Sequence, residues 1–298
     1  MIKWYLENGC SGIFSVCQSS ERFFLSDDEK IQLVKFVKEC SAAEAHSMGI
    51  SEFPVLASGH VYTDLKHQAD IMHKLYEAGA DAIVLITNRF EEDQHQNDEI
   101  WINNAESLLD LLPEVPLGLY ECPYPHKRYV TEAILSWCLS KERFVFFKDT
   151  CCDIDRIVRR LLILKDSNMK LFNANGQTLL SSLHAGASGY SGVMANFHPS
   201  LYRRFIESYE KKPWEAQLLQ SFLSITSLIE LRAYPVCARF HMNLSGIPMS
   251  LHTRCKEETE LIPLYKEEIR HLFLLEKHAE EIMYGYKDIS DRSCTCYR

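Results

Sequence analysis

The sequence predicts an α/β domain built on a parallel sheet, followed by a purely helical extension. Short apolar runs recur along the chain: GIFSVC (12–17), FPVLAS (53–58), AIVLIT (82–87), PLGLYE (116–121), FVFFKD (144–149), KLFNA (170–174) and GYSGVM (189–194). Their continuous rather than alternating apolar character is that of strands covered on both faces. Helical patterns separate them, with no long Gly/Pro linker, so strand and helix alternate within one domain.

The elements follow in order. The chain opens in a helical pattern, IKWYLENG, directly before the first run. Ser26-Asp27-Asp28-Glu29 starts the next helix as a capping box. Thr63 is the expected cap of TDLKHQADIMHKLYEAGA, and Gly79 its stop. Segments 98–112, 130–141, 153–165 and 176–185 carry similar amphipathic spacing. After Met194 the pattern changes: 199–230 and 256–284 read as purely helical, joined by a stretch containing Pro235, Gly246 and Pro248. The expected division is therefore an α/β body over 1–198, a helical extension over 199–290 and a disordered tail over 291–298. Seven runs suit an open doubly wound sheet, and fall one short of a (β/α)8 barrel. On pattern alone both stay open.

Composition limits the function. The chain has 298 residues, 46% hydrophobic and 24% charged, with a net charge of −9. That balance argues against nucleic acid or an anionic membrane as partner, both of which need a basic face. A local cluster of donors would still hold a small anion. No apolar run reaches bilayer length, and the N-terminus lacks the signal-peptide pattern. Eleven cysteines without that pattern point to reduced thiols in a cytoplasm. Cys151-Cys152 and Cys294-x-Cys296 lack paired CxxC spacing, so no metal is expected.

The chemically useful residues fall at the C-terminal ends of the runs. Gln18, Ser19, Ser20 and Glu21 follow the first; Thr87, Asn88 and Arg89 the third; Tyr120 and Glu121 end the fourth; Lys148 ends the fifth. Asn173 and Asn175 follow the sixth, and Ser191 and Gly192 lie in the last. Barrel enzymes place their sites at this end of the strands. Lys148 emerges from an apolar run, where desolvation lowers an ammonium's pKa and frees the amine to attack a carbonyl. The plainer reading is a lysine that snorkels or pairs with Asp149 or Asp153. Tyr120 is either a proton relay or a satisfied buried phenol. The Gln18–Ser20 turn offers hydroxyls and N–H groups to a carboxylate, or is ordinary loop chemistry.

Taken together, these segments resemble the dihydrodipicolinate synthase/N-acetylneuraminate lyase family of Schiff-base aldolases up to about residue 200. GIFSVCQSSERFFLSDDEK is similar to its first signature and YEAGADAIVLIT to its next βα unit. LGLYECP resembles its tyrosine strand, FVFFKDT its lysine strand and AGASGYSGVMAN its glycine-rich last strand. The 28-residue step from Tyr120 to Lys148 also fits. The resemblance implies a TIM (β/α)8 barrel with a C-terminal helical extension and with strand 1 missing. It implies an imine between Lys148 and pyruvate or a related 2-keto acid, with Tyr120 moving protons. Gln18, Ser19 and Ser20 would line the carboxylate turn, Ser191 and Gly192 the pocket wall, and no cofactor would be needed. A homotetramer is implied in the same way.

Departures shape the expectation. Cys17-Gln18-Ser19-Ser20-Glu21 lacks both glycines of the family turn, and Gln18 stands where the family relay has a hydroxyl. Phe90 lacks the hydroxyl of the synthase tyrosine pair. The synthase's substrate-carboxylate arginine has no aligned match, leaving Lys127 or Arg128 as substitutes from a shifted position. The expected function is therefore a lyase or aldolase acting on a 2-keto acid and an unidentified aldehyde or sugar acid, rather than dihydrodipicolinate synthesis. A sugar-acid dehydratase using the same imine and a keto-acid-binding homologue without turnover are the alternatives.

Overall fold

The structure is a computed structural model describing residues 1–91 and 97–285, with side chains to Ala279. The expected tail, 291–298, lies outside the described residues. Two compact units divide between Gly192 and Val193. The first runs α1 (Ile2–Glu7), β1 (Ile13–Val16), α2 (Asp27–Ser47), β2 (Val55–Ala57), α3 (Leu65–Glu77), β3 (Ala82–Ile86) and α4 (Asp98–Leu109). It continues with β4 (Leu117–Tyr120), α5 (Glu132–Ser140), β5 (Phe144–Asp149), α6 (Ile154–Leu164), β6 (Lys170–Asn173), α7 (Leu179–His184) and β7 (Gly189–Tyr190).

All seven strands pair in parallel and in sequence order, with β1 and β7 at the edges of the described sheet. The sheet is curled. On a flat sheet, residues on β1 and β5 would stand four strand spacings apart, roughly 19 Å. Instead the rings of Phe14 and Phe146 meet with centroids 6.3 Å apart, and Phe14 and Tyr120 at 6.0 Å. The concave face is thus a narrow apolar trough of Phe14, Val84, Ile86, Tyr120, Phe146 and Phe172.

Alternate residues face the other way. Ile83, Leu85, Leu117, Leu119, Phe147 and Leu171 pack under the helices with Trp101, Ile134 and Ile157. Both faces are therefore covered by apolar side chains, which explains the unbroken apolar runs. An irregularity at Val145 sets the phase of β5, since Leu117 pairs with Phe144 while Gly118 pairs with Phe146. Val145 is turned to solvent, and Phe146 and Lys148 share the concave face. Gly118 lies close against it: a Cβ there would come 3.0 Å from the Phe146 ring and 3.3 Å from its carbonyl, so a larger residue would have to push β5 or the ring aside.

Local chemistry starts the helices. Ser26 and Glu29 form the expected reciprocal box before α2. At α3 the cap is Asp64 rather than Thr63: its carboxylate accepts the His67 N–H at 2.7 Å. Asn97, Thr131 and Asp153 cap α4, α5 and α6.

The second unit contains α8 (Pro199–Ser208), α9 (Pro213–Thr226), α10 (Val236–Leu244) and α11 (Pro263–Gly285). Helix α10 occupies the stretch read from sequence as a connection. Pro235 precedes its first turn, where a missing N–H costs nothing. Within this unit the buried His198 and His241 close on one carboxylate, His198 Nδ1 lying 2.6 Å from Glu276 Oε1 and His241 Nε2 2.8 Å from Glu276 Oε2. No helix among the described residues is long and apolar enough to cross a membrane.

Candidate active site at the strand ends

Tyr120 and Lys148 are direct partners in the β4–β5 register. Both project into the trough, with Lys148 Nζ 4.7 Å from the centroid of the Tyr120 ring and 6.0 Å from that of Phe14. Lys148 is half-buried. At such distances aromatic faces attract an ammonium. Tyr120 is 4% exposed, and burial, followed by the neighbouring Cys122 and Cys17 thiols, pushes its phenol well above the usual range. At neutral pH it is a neutral proton donor and acceptor, with the Cys122 side chain as hydrogen-bond neighbour.

The residues that follow this pair turn to the opposite face and lock it in place. Arg160 Nη1 bonds Asp149, and Nη2 bonds Glu121 and, at 2.6 Å, the Val130 carbonyl. Glu121 also accepts the N–H of Val130 at 2.7 Å and of Thr150 at 3.2 Å, and Asp149 accepts that of Cys151 at 2.8 Å. All three charged side chains are buried. Burial raises the Glu121 carboxyl, Arg160 draws it down and Asp149 raises it again. Glu121, Asp149 and Cys151 place potential metal ligands within 4.8 Å of one another, but the guanidinium already supplies the cation there. The network is a clamp holding the ends of β4 and β5 side by side.

The turn after β1 closes on itself. The Cys17 N–H donates to Ser20 Oγ at 2.7 Å, and the Glu21 N–H to the Gln18 carbonyl at 3.1 Å, with Glu21 in the left-handed region at φ 58°. Gln18, Ser19 and Ser20 are half-buried, and Gln18 Oε1 lies 3.9 Å from Cys122 Sγ. The turn therefore reaches the end of β4. Ser191 and Gly192 lie beyond β7, two strands from Lys148, and the Ser191 N–H bonds the Asn173 carbonyl at 2.9 Å. A Cβ at Gly192 would come 2.1 Å from the Tyr190 hydroxyl and 2.5 Å from the Ala174 carbonyl, so only glycine fits.

Lys127 and Arg128 both have donors engaged by the protein itself. Lys127 Nζ donates to the Thr150 carbonyl at 2.6 Å. Arg128 is 1% exposed and spends all three nitrogens on structure: Nε on Glu91 at 2.7 Å, Nη2 on Asp98 at 2.6 Å and Nη1 on the Tyr129 carbonyl at 2.7 Å. Two carboxylates have already claimed the cation that sequence offered to a substrate. Phe90 is core, packed between His60 and Trp101 at 4.6 and 4.8 Å.

Three residues at this end were not singled out from sequence. Cys122 was legible, standing two positions beyond Tyr120. His60 follows β2; its Nδ1 accepts the Ile86 N–H at 3.0 Å, which leaves the ring proton on Nε2. Burial, then the charges of Arg89 and Arg22, keep it neutral. Arg22 is fully buried beside Cys122, with Nη2 3.4 Å from Sγ. A lone arginine in a polar turn is normally a solvated one, and nothing in its spacing says otherwise.

The family model described as the dihydrodipicolinate synthetase family matches residues 1–259. The chain belongs to this family. Its members are lyases of the aldolase type. A 4-hydroxy-tetrahydrodipicolinate synthase from Thermoanaerobacter sp. strain X514 is 22% identical over 251 residues, 83% of this chain and 79% of that protein. The same-named enzyme of Haloarcula marismortui is 23% identical over 191 residues, 64% of this chain and 58% of its own length. Among solved structures, YagE, an E. coli K12 prophage protein of the dihydrodipicolinic acid synthase family in complex with pyruvate, superposes with a TM-score of 0.78. Identity there is 18%, over 93% of this chain and 90% of that one, so the likeness is one of fold.

Proposed function

We propose that this family member forms an imine between Lys148 and a 2-keto acid and uses it to make or break a carbon–carbon bond. The observation that supports this most is the pairing of Lys148 with Tyr120 in one register layer, Nζ 4.7 Å from the ring, inside an apolar trough. The neutral amine attacks the ketone carbon. Tyr120 carries a proton to the carbinolamine oxygen, which leaves as water, and the iminium forms. That cation withdraws electrons from the adjacent carbon, so a bond there opens, or a carbanion equivalent adds to an aldehyde. The return of water reverses the first steps and frees the lysine.

Pyruvate is the keto acid we carry to this chain, because YagE was solved with it. The turn of Gln18, Ser19 and Ser20 would hold its carboxylate, with Ser191 and Gly192 along the far wall. Arg128 is left out of this reading because its guanidinium is buried on Glu91 and Asp98, and Lys127 because its ammonium is bonded to the Thr150 carbonyl. Family likeness also motivates a cytoplasmic homotetramer, which sedimentation would test. The function itself is tested by borohydride reduction with pyruvate. The expected product is a covalent adduct of pyruvate less one oxygen atom, present in the wild type and absent in Lys148→Ala. Adduct retained by Lys148→Ala would reject the assignment.

A further inference from the structure

When Tyr120 gives its proton to the carbinolamine oxygen, the phenol has to be resupplied. Solvent is a poor source, since Tyr120 is 4% exposed. Burial also pushes the phenol well above its usual range, so a phenolate is a costly place to leave negative charge. Beside it stands the Cys122 thiol, which the imine chemistry has not used. Cys122 is fully buried, shares the concave apolar cluster with Tyr120 and is the hydrogen-bond neighbour of its phenol. A thiol is ordinarily more acidic than a phenol.

Three further contacts define that sulfur. Arg22 Nη2 lies 3.4 Å from Sγ, and a guanidinium only donates. The thiol proton has the Tyr124 carbonyl at 3.3 Å and Gln18 Oε1 at 3.9 Å as acceptors. Arg22 is itself fully buried, and among the described residues no carboxylate pairs with it. The Phe23 ring, 4.5 Å from Cζ, covers the guanidinium without adding an acceptor at its edge. A dry cation of this kind is expensive unless negative charge comes to it. Its field falls on the sulfur, and an arginine beside a thiol favours the thiolate. Cys17, the other thiol near the phenol, has the Ser20 hydroxyl rather than a cation as its neighbour.

We propose that Cys122 is the proton reservoir behind Tyr120, with Arg22 holding the thiolate that forms. Both act through Tyr120 and are positioning residues. This rests on the imine reading of Lys148. As the carbinolamine C–O bond breaks, its electron pair stays on oxygen, the phenol proton joins it, and water leaves. The nitrogen lone pair closes the iminium. The thiol proton moves to the phenol, leaving the sulfur negative beside Arg22. When water later adds to the iminium carbon, its proton returns through Tyr120 to the sulfur. The cycle therefore closes without an external acid or base.

Infrared difference spectra of the wild type, with and without saturating pyruvate, read the sulfur directly and need no variant. One S–H stretching component should lose intensity as imine accumulates, and Cys122→Ser should lack that change. Imine formed with no S–H loss would overturn the proposal. In borohydride trapping time courses, Cys122→Ala is expected to slow adduct formation roughly tenfold to a hundredfold, with the half-saturating pyruvate concentration unchanged. Cys122→Ser, which still passes a proton, should restore part of the rate. Arg22→Gln should slow the wild type to a similar degree but add little to Cys122→Ala, because its effect passes through the sulfur. An unchanged rate in Cys122→Ala, or a full further loss from Arg22→Gln in that background, would overturn the proposal. A wild type that forms no adduct at all would instead sink the imine reading, and this inference with it.

Discussion

At the scale of the residue, the proposed mechanism has Lys148 and Tyr120 divide work that one group could not do. The lysine must lose a proton to attack, while the carbinolamine oxygen must gain one to leave. A phenol held neutral by burial serves the second need. Tyr120→Phe is therefore expected to slow adduct formation by roughly a hundredfold to ten-thousandfold in a trapping time course, while still yielding adduct on Lys148. The same burial sets a pH dependence. Because the folded phenol is raised above its ordinary value, the unfolded chain releases that proton first, and stability falls as pH climbs past about 10. Tyr120→Phe lacks this contribution, so urea midpoints measured between pH 9 and 11 should decline less steeply than in the wild type.

At the scale of the element, β4 and β5 are held in register by charges on the face away from the chemistry. Arg160 answers both Glu121 and Asp149, and all three are buried. Arg160→Met leaves two carboxylates dry and unpaired, and should cost about 3–5 kcal/mol in urea unfolding. Restoring part of that loss with Glu121→Gln would confirm the cause. The strands were legible because each carries apolar residues on both faces. The irregularity at Val145, which decides that Lys148 rather than Phe147 enters the trough, left no mark beyond the length of its run. The α3 cap was misplaced by one residue because Thr63 and Asp64 are both competent caps and only tertiary placement chooses. Helix α10 was missed because Pro235, Gly246 and Pro248 read as breakers, although the proline sits before the first turn. The pairing of Arg128 with Glu91 and Asp98 is long-range, and so invisible to spacing.

At the scale of the whole molecule, curvature makes the site. It brings Phe14 of the first strand to Phe146 of the fifth and lines the trough around Lys148 with aromatic rings. The helical second unit has its own internal anchor. Burial works to raise the Glu276 carboxyl, but hydrogen bonds from His198 and His241 prevail and hold it below the usual range. Its contribution is thus present above the ordinary carboxylate pKa and is lost as pH falls through the lower folded value. Glu276→Gln should cost about 1–3 kcal/mol at neutral pH and flatten the acid limb of thermal melting.

The proposed chemistry turns on one covalent bond. Peptide mapping of the enzyme reduced by borohydride under saturating pyruvate reads it directly. The expected result is a single modified lysine, Lys148, with tryptic cleavage blocked after that residue. An adduct mapped to another lysine, or none at all, would contradict it.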